Sequence, residues 1–220
     1  MRVVVAEDNA LLRAGLVELL RTAGFDVVGQ AGDADQLLDA VRESLPDVAL
    51  LDIRMPPTHT LEGLRAAREI RSTYGSAVGI VLLTQYIETR YAIDLLTDSA
   101  SGVGYLLKDR IFDLTDLADA ITRVAAGGSA IDPIVIEHLL KRRHEEIILA
   151  TLTERESEVL RAMAEGRSNS SIARHLSISE KTVEACTNRI FAKLNLEQHP
   201  DDHRRVRAVL TYLQAINDAR

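Results

Sequence analysis

Apolar runs in the first half of the chain end on side chains that could do chemistry. The segment PDVALLDIRMPP places such a run directly before Asp52, and an ionised carboxylate is costly to bury without a compensating group. Similar runs end at Glu7 and Asp8, at Thr84, and just before Lys108. Carboxylates, a hydroxyl and an ammonium in these positions could together bind a cation and a phosphoryl group.

The carboxylates predict a magnesium site. Carboxylates held within a few ångströms of one another cannot all stay ionised unless a cation joins them. We expect oxygen ligands alone, because no histidine or cysteine accompanies these residues at the ends of the runs, and such a site suits Mg²⁺. One carboxylate oxygen could then attack a phosphoryl group while Lys108 and Thr84 contact the other phosphoryl oxygens.

Five strand signals, separated by helical segments, must position these side chains. Apolar runs near 3–6, 26–29, 48–51, 78–83 and 103–107 alternate with stretches of helical spacing. The first such stretch contains Leu11, Leu12, Leu16, Leu19 and Leu20 and ends at Gly24. This alternation predicts an α/β fold with a doubly wound parallel sheet, which binds ligands beyond the carboxyl ends of its strands.

Each candidate residue also has an ordinary structural interpretation. Lys108 could pair with its neighbour Asp109 on the surface, Glu7 and Asp8 could cap the following helix, and threonine is common in strands. Lys108 is, however, one of four lysines in the chain (108, 141, 181 and 193), and the other three come later. The joint placement of the set favours the functional interpretation.

The second half of the chain has a different pattern. A helix over about 113–126 is predicted to stop at Gly127 and Gly128, and a connector follows in which 131–140 could form a short helix and KRRHEE a charged turn or tail. From residue 150 the pattern is helical only, with a capping box at Thr153–Glu156 and further helices near 169–176, 180–194 and 203–217. We therefore expect domains at 1–126 and 150–220, joined by a linker at 127–149.

Composition and charge are typical of a soluble protein. The chain has 220 residues, of which 46% are hydrophobic and 27% charged. Its net charge of −7 is the sum of −8 in residues 1–149 and +1 in residues 150–220. No apolar stretch is long enough to span a bilayer, and MRVVVAED does not resemble a secretion signal. The single cysteine, Cys186, excludes an internal disulfide, so we expect a cytoplasmic protein.

The motifs VVVAED, LLDIRMP, VLLT and GYLLKD resemble the receiver domain of two-component response regulators over about residues 1–125. The resemblance implies a flavodoxin-like, five-stranded sheet in the order 2-1-3-4-5. It also implies that Asp52 is the phosphoacceptor, that Lys108, Thr84 and the aromatic Tyr105 respond to the phosphate, and that Mg²⁺ binds at Glu7, Asp8, Asp52 and the backbone carbonyl of Arg54. The chain departs from the family in the loop Pro57–Gly63 and in the long approach TDSASGVG to the fifth strand.

The segment LTERESEVLRAMAEGRSNSSIARHLSISEKTVEACTNRIFAKLNL resembles the LuxR-type helix-turn-helix of NarL/FixJ regulators over about 150–215. On the 180–194 helix, Val183, Cys186, Ile190 and Leu194 form an apolar stripe. The opposite face suits a DNA groove, although an amphipathic surface helix would look similar. The predicted DNA contacts are Lys181, Thr182, Glu184, Ala185, Asn188, Arg189 and Lys193. Of these, Glu184, Ala185 and Asn188 would read bases, and Lys181, Arg189 and Lys193 would contact phosphates.

Taken together, the two resemblances imply a DNA-binding transcriptional response regulator rather than an enzyme. Phosphorylation of Asp52 by a sensor histidine kinase would control domain release, dimerisation partly through the last helix, and binding to inverted-repeat double-stranded DNA. RNA polymerase is a further partner that the resemblance allows, and no membrane partner is expected. Three alternatives compete with this interpretation. A Mg²⁺-dependent phosphatase is disfavoured because Arg54 stands where such enzymes usually have a second aspartate, and a nucleotide-binding module is disfavoured because no glycine-rich loop follows the first strand. The third alternative is a phosphorylation-independent transcription factor whose receiver is structural or binds a ligand.

Overall fold

A computed structural model of the chain describes residues 1–85, 101–111, 113–198 and 203–217. The chain divides into two compact units, which we call unit 1 (Met1–His138) and unit 2 (Leu139–Arg220). Among the described residues, no helix combines the length and the apolar character needed to cross a bilayer.

Unit 1 is built on a parallel sheet of six strands. The strands are β1 (Arg2–Ala6), β2 (Asp26–Ala31), β3 (Val48–Asp52), β4 (Gly79–Thr84), β5 (Val103–Leu107) and β6 (Ser129–Ile131). Their order in the sheet is β2-β1-β3-β4-β5-β6, and all neighbours are parallel. The α/β fold and the order of the first five strands are therefore confirmed, but the number five is wrong. The sixth strand has only three residues, too few to give a periodic signal in the sequence.

Helices cover both faces of the sheet in unit 1. On one face α1 (Ala10–Thr22) and α4 (Leu114–Ala125) contact each other, and on the other face α2 (Ala34–Ser44) contacts α3 (Glu62–Tyr74). The core face of α1 consists of Leu16, Val17 and Leu20, while the remaining leucines of the predicted apolar spacing, Leu11, Leu12 and Leu19, are exposed. The start of the TDSASGVG segment, 97–100, lies outside the described residues.

The predicted linker contains more regular structure than expected. After β6, α5 extends over Pro133–Ala150, and the Asp132 carboxylate caps its first turn by accepting a hydrogen bond from the Ile134 amide at 2.9 Å. The helix runs through KRRHEE, so the prediction of a short helix followed by a charged turn is wrong. Lys, Arg and Glu are good helix formers, which explains why this charged segment can continue the helix.

Unit 2 contains the four predicted helices in addition to the end of α5. They are α6 (Glu154–Ala164), α7 (Asn169–His175), α8 (Glu180–Lys193) and α9 (Arg204–Asn217). The capping box between Thr153 and Glu156 is present, and Ser179 caps α8. Asn195 follows α8 with a φ of 52°, the left-handed conformation that ends many helices. The four-helix organisation is therefore confirmed.

Candidate functional site

The carboxyl ends of the central strands form an acidic pocket in unit 1. The cavity has a volume of about 250 Å³ and is lined by Glu7, Asp8, Asn9, Leu12, Asp52, Arg54, His59, Thr84, Gln85 and Lys108. Parallel strands bring their carboxyl ends to one edge, which is why residues far apart in the sequence meet here. The structure therefore brings together the carboxylates, the threonine, the lysine and Arg54 that the sequence indicated.

Lys108 joins two of the carboxylates. Its Nζ lies 2.7 Å from Glu7 Oε2 and 2.7 Å from Asp52 Oδ2, and all three side chains are largely buried. The alternative pairing of Lys108 with Asp109 is therefore wrong. Burial acts to lower the pKa of Lys108, but its hydrogen bonds to Asp52 and Glu7 outweigh burial and raise that pKa, so the amine stays charged.

For Glu7, burial has a larger effect on the pKa than the hydrogen bond does, which is the reverse of the situation at Lys108. Burial raises the pKa of the Glu7 carboxyl, and the hydrogen bond from Lys108 offsets this effect only in part. The predicted alternative, that Glu7 and Asp8 cap the following helix, is wrong, because Asn9 is the N-cap residue and accepts hydrogen bonds from the Leu11 and Leu12 amides. The Glu7 and Asp8 side chains therefore line the acidic pocket and do not cap α1.

The donor set fits a hard divalent cation. Ligand oxygens of Glu7, Asp8 and Asp52 all lie within 4.8 Å of one another. One ammonium faces these carboxylates, so the cluster can accept further positive charge. The Asp8 side chain is 28% exposed and offers its oxygens to the cavity, as Mg²⁺ would require if it kept part of its water shell.

Gly63 explains how the divergent loop closes beside the pocket. A Cβ atom at Gly63 would lie 1.8 Å from the carbonyl oxygen of Asp52, so only glycine allows this approach of α3 to β3. The Gly63 amide donates to the Ile53 carbonyl at 3.0 Å. Burial acts to raise the pKa of the neighbouring Glu62, but hydrogen bonds from Thr58 and the Thr60 amide lower that pKa to about 2. The loop is therefore held at both ends.

His59 is one of the pocket residues that the sequence analysis missed, together with Asn9, Leu12 and Gln85. Its Nδ1 lies 3.3 Å from Asp8 Oδ2. Among the described residues, the group that could hold a metal ion here consists of Glu7, Asp8 and Asp52 and does not include His59. For His59, the sequence shows only a histidine four residues after Met55, in a loop whose residues depart from the family's, and nothing in that pattern predicts the direction of the side chain.

Tyr105 lies inside unit 1. It is 1% exposed and pairs in register with Leu82 on β4 and Ile131 on β6. The alternative of an amphipathic tyrosine on an edge strand is wrong, because β6 covers that edge of β5. Thr84, at the end of β4, is also buried.

In unit 2, α8 has the two faces that its sequence predicted. Val183, Cys186, Ile190 and Leu194 are buried in the helical core. The opposite face is exposed and consists of Lys181, Thr182, Glu184, Ala185, Asn188 and Arg189. The three predicted base-reading residues, Glu184, Ala185 and Asn188, thus lie on one exposed surface of α8.

Two of the predicted phosphate contacts are also bound within unit 2. The carboxylate of Glu156, 2% exposed, accepts from Arg189 Nε at 3.2 Å and from Lys193 Nζ at 2.7 Å. Lys193 additionally donates to the carbonyl of Thr151 at 2.8 Å. We call Glu156, Arg189 and Lys193 the Glu156 clamp. Burial acts to raise the pKa of Glu156, but the hydrogen bonds from Lys193 and Thr153 lower it to about 2.

The last helix shows an apolar stripe outside the core. Ala208 is buried, and Val209 and Tyr212 pack against the helical core. Val206, Leu210 and Leu213 are exposed by 52%, 52% and 37%. Spacings of four and three residues place these three side chains on one side of α9.

An α/β unit with an acidic pocket, followed by a four-helix unit in which one helix exposes a polar face, is the arrangement expected of a two-domain DNA-binding regulator. Residues 3–122 match the response regulator receiver domain family, and residues 150–202 match the bacterial regulatory proteins of the luxR family. The chain therefore belongs to the response regulators, with a receiver domain in unit 1 and a LuxR-type DNA-binding domain in unit 2.

Similar proteins cover nearly the whole chain. It is 33% identical to the nitrate/nitrite response regulator protein homolog of Haemophilus influenzae, over 97% of both chains. It is 32% identical to the DNA-binding transcriptional activator DevR/DosR of Mycobacterium tuberculosis, over 90% of both chains. RcsB of Salmonella enterica serovar Typhimurium, solved bound to a promoter with the phosphomimetic BeF3−, is similar over 98% of this chain and 99% of that chain, with a TM-score of 0.54 and 26% identity. These relatives are transcriptional regulators, and no catalytic family is indicated.

Proposed function

We propose that Asp52 accepts a phosphoryl group from a phosphohistidine of a sensor histidine kinase. An Asp52 carboxylate oxygen would bond to phosphorus while the bond from phosphorus to the histidine nitrogen breaks, and the freed nitrogen would take a proton. The observation that carries the proposal is the position of Asp52: it ends β3, opens on the cavity, and already contacts Lys108 at 2.7 Å. A cytoplasmic location follows from this partner.

The neighbouring side chains have distinct proposed roles. Glu7, Asp8, Asp52 and the carbonyl of Arg54 would hold Mg²⁺, which when bound neutralises the carboxylates and the incoming phosphoryl oxygens. The Lys108 ammonium, which now bridges Glu7 and Asp52, would pair with a phosphoryl oxygen once Asp52 becomes an acyl phosphate. The Thr84 hydroxyl would donate to another phosphoryl oxygen, and Tyr105 would respond to the displacement of Thr84.

The exposed face of α8 is the proposed DNA-reading surface. Glu184, Ala185 and Asn188 are accessible neighbours on this face and could accept from cytosine, contact a thymine methyl and pair with adenine, respectively. Lys181 and Thr182, exposed in the first turn of the same helix, are proposed phosphate contacts. Arg189 and Lys193 remain proposed phosphate contacts, although each would have to share its charge with Glu156 or leave it.

Phosphorylation is proposed to control release of the DNA-binding domain and dimerisation. The stripe Val206, Leu210 and Leu213 on α9 offers an apolar surface that a second copy could cover, and a two-fold dimer would read an inverted repeat. RNA polymerase is a proposed further partner at the promoter. The receiver would act in this way as a switch and not as an enzyme.

Phosphorylation and DNA binding can be tested together. Acetyl phosphate and Mg²⁺ should label the intact protein once, as an acid-labile acyl phosphate found by mass spectrometry at Asp52, and should tighten binding to DNA selected from a random pool. Asp52→Asn should abolish both responses, whereas Asp109→Asn, which removes an exposed carboxylate next to Lys108, should retain them. Operator binding that is equally tight with and without label would favour the phosphorylation-independent alternative.

A further inference from the structure

Two segments of the proposed phosphorylation site contact one buried aspartate, Asp132. Its side chain is 9% exposed, and its Oδ2 accepts a hydrogen bond from Arg110 Nε at 3.0 Å. Arg110 is the last residue of a single helical turn, Lys108–Arg110, which begins with the lysine of the acidic pocket. The Asp132 amide also donates to the carbonyl of Tyr105 at 2.9 Å. Asp132 is therefore bonded both to the turn that carries Lys108 and to the strand that carries Tyr105.

The same aspartate begins α5. Its Oδ1 accepts from the Ile134 amide at 2.9 Å, and its carbonyl accepts from the Ile136 amide at 3.2 Å, so Asp132 caps the first turn of the helix. The helix then continues to Ala150, beyond the end of unit 1 at His138. A change in the bonds of Asp132 therefore acts on the helix that leaves the receiver domain.

The Lys108–Arg110 turn is held at both ends. At its start the Lys108 ammonium contacts Glu7 and Asp52, and at its end Arg110 pairs with Asp132. A phosphoryl group on Asp52 extends beyond the carboxylate that carries it, so an ammonium that pairs with a phosphoryl oxygen must give up its present position. Because the two side chains belong to one short turn, closed by a hydrogen bond from the Ile111 amide to the Lys108 carbonyl, a displacement of the lysine changes the reach of Arg110.

Arg110 has room to leave Asp132. The ion pair lies in the wall of a cavity of about 400 Å³, which is also lined by the exposed carboxylates of Asp116 and Asp119 on α4. The Arg110 side chain is 41% exposed, and a pair that reaches water to this extent contributes little net free energy. The guanidinium therefore loses little when it exchanges Asp132 for another carboxylate or for water, so the pair can exist either formed or broken.

We propose that the ion pair between Arg110 and Asp132 couples phosphorylation of Asp52 to the first turn of α5. The pair is formed in the unphosphorylated receiver and breaks when Lys108 follows the phosphoryl group, which loosens the start of the helix. The inference rests on the proposed function, because it requires phosphorylation of Asp52. Asp132 acts here as a positioning residue, through Arg110. Such coupling is reciprocal, so breaking the pair by mutation should favour the phosphorylated state.

The test uses the full-length protein, with BeF3− and Mg²⁺ as the probe in place of a phosphoryl group. Asp132→Asn removes the charge that faces Arg110 but keeps a side chain that caps α5, and Arg110→Gln removes the charge from the other partner. Asp33→Asn makes the same change at the residue that caps α2 and is the matched control.

Two measurements follow the two ends of the coupling. In the wild type and in Asp33→Asn, BeF3− should accelerate amide hydrogen exchange in a peptide that covers 132–138 by about threefold. In Asp132→Asn and Arg110→Gln this exchange should already be fast and should respond less to BeF3−. Calorimetry should show that both variants bind BeF3− about threefold more tightly than the wild type, and that the double variant binds no more tightly than either single one.

Each contrary result has a separate meaning. If BeF3− binds the wild type but leaves exchange at the start of α5 unchanged, this inference is wrong and the proposed phosphorylation site stands. Unchanged or weaker BeF3− binding in Asp132→Asn and Arg110→Gln would show that the pair only supports the fold, which also overturns the inference. If the wild type does not bind BeF3− with Mg²⁺, the proposed function fails as well. Circular dichroism of each variant must match the wild type, and Arg110→Gln, which changes an exposed side chain, carries the test if Asp132→Asn does not fold.

Discussion

Each unit buries a glutamate beside a lysine, but the balance of charge around the two glutamates is opposite. In the receiver, Lys108 faces the carboxylates of Glu7, Asp8 and Asp52, and the pKa of Glu7 is raised, chiefly by burial. In the DNA-binding domain, Glu156 receives two cations, and its pKa falls to about 2.

The difference separates a binding site from a structural clamp. The receiver pocket has more carboxylates than cations and opens onto a cavity, so it can gain stability by taking up a cation. The Glu156 clamp joins the start of α6 to the far end of α8, and its carboxylate is already satisfied by the capping box and by Arg189 and Lys193. A buried acid–lysine pair therefore indicates function or structure according to the charges around it.

The largest expected effect is on the stability of unit 2. Glu156→Ala removes a buried carboxylate with several charge-assisted hydrogen bonds, and we expect a loss of about 3 kcal/mol in the free energy of unfolding. Glu158→Ala removes one partner of an exposed ion pair with Arg155 and should cost less than about 1 kcal/mol. Hydrogen exchange of peptides from α6 and α8 measures both changes, and similar losses in the two variants would remove the distinction between the clamp and a surface pair.

Acid should weaken unit 2 through the same carboxylate. Glu156 titrates near 4.5 when unfolded and at about 2 when folded, so its stabilisation is present above about pH 4.5 and is lost as the pH falls towards 2. Between pH 6 and pH 3 we expect a loss of about 2 kcal/mol from this group. Glu156→Gln, which resembles the protonated form, should show a smaller loss over that interval by urea unfolding. An unchanged pH dependence in Glu156→Gln would contradict the assignment.

A smaller effect is expected for the lysine in the receiver. Lys108→Ala removes the cation that bridges Glu7 and Asp52, so the remaining carboxylates should bind Mg²⁺ about tenfold more tightly, which corresponds to about 1.4 kcal/mol. Lys141→Ala, an exposed lysine on α5, is the matched control and should leave the affinity unchanged. Calorimetry with Mg²⁺ distinguishes them. Weaker binding in Lys108→Ala would mean that the lysine organises the carboxylates more than it neutralises them.

The sequence predicted those features that depend on periodic patterns and strand ends. The first five strands, the helices of unit 2 and the meeting of Glu7, Asp52, Thr84 and Lys108 follow from the alternation of apolar runs and from the rule that parallel strands share a carboxyl edge. The sixth strand was missed because three residues carry no period.

Features set by single side-chain directions could not be predicted. His59 lies in a loop without periodicity, and its approach to Asp8 depends on the closure that Gly63 permits. Glu156 was predicted as half of a capping box, but its contacts with Arg189 and Lys193 come from the packing of α6 against α8, some thirty residues apart in the sequence. Such pairings are tertiary contacts that local patterns do not specify.

The smallest expected effect separates the clamp from the DNA-binding surface. Lys181 is exposed on the outer face of α8, whereas Lys193 is held by Glu156 and the Thr151 carbonyl. If Lys181 contacts a phosphate, Lys181→Ala should reduce the dependence of log affinity on log salt concentration by about one contact's share, roughly 0.9, for all DNA sequences alike. Lys193→Ala should change this slope less and should instead lower the stability of unit 2, since its charge is already engaged. Titrations of selected operator DNA at several salt concentrations, with folding checked by circular dichroism, give both slopes. Equal reductions would show that the clamp opens on DNA and releases Lys193 to a phosphate, as its sequence position first indicated.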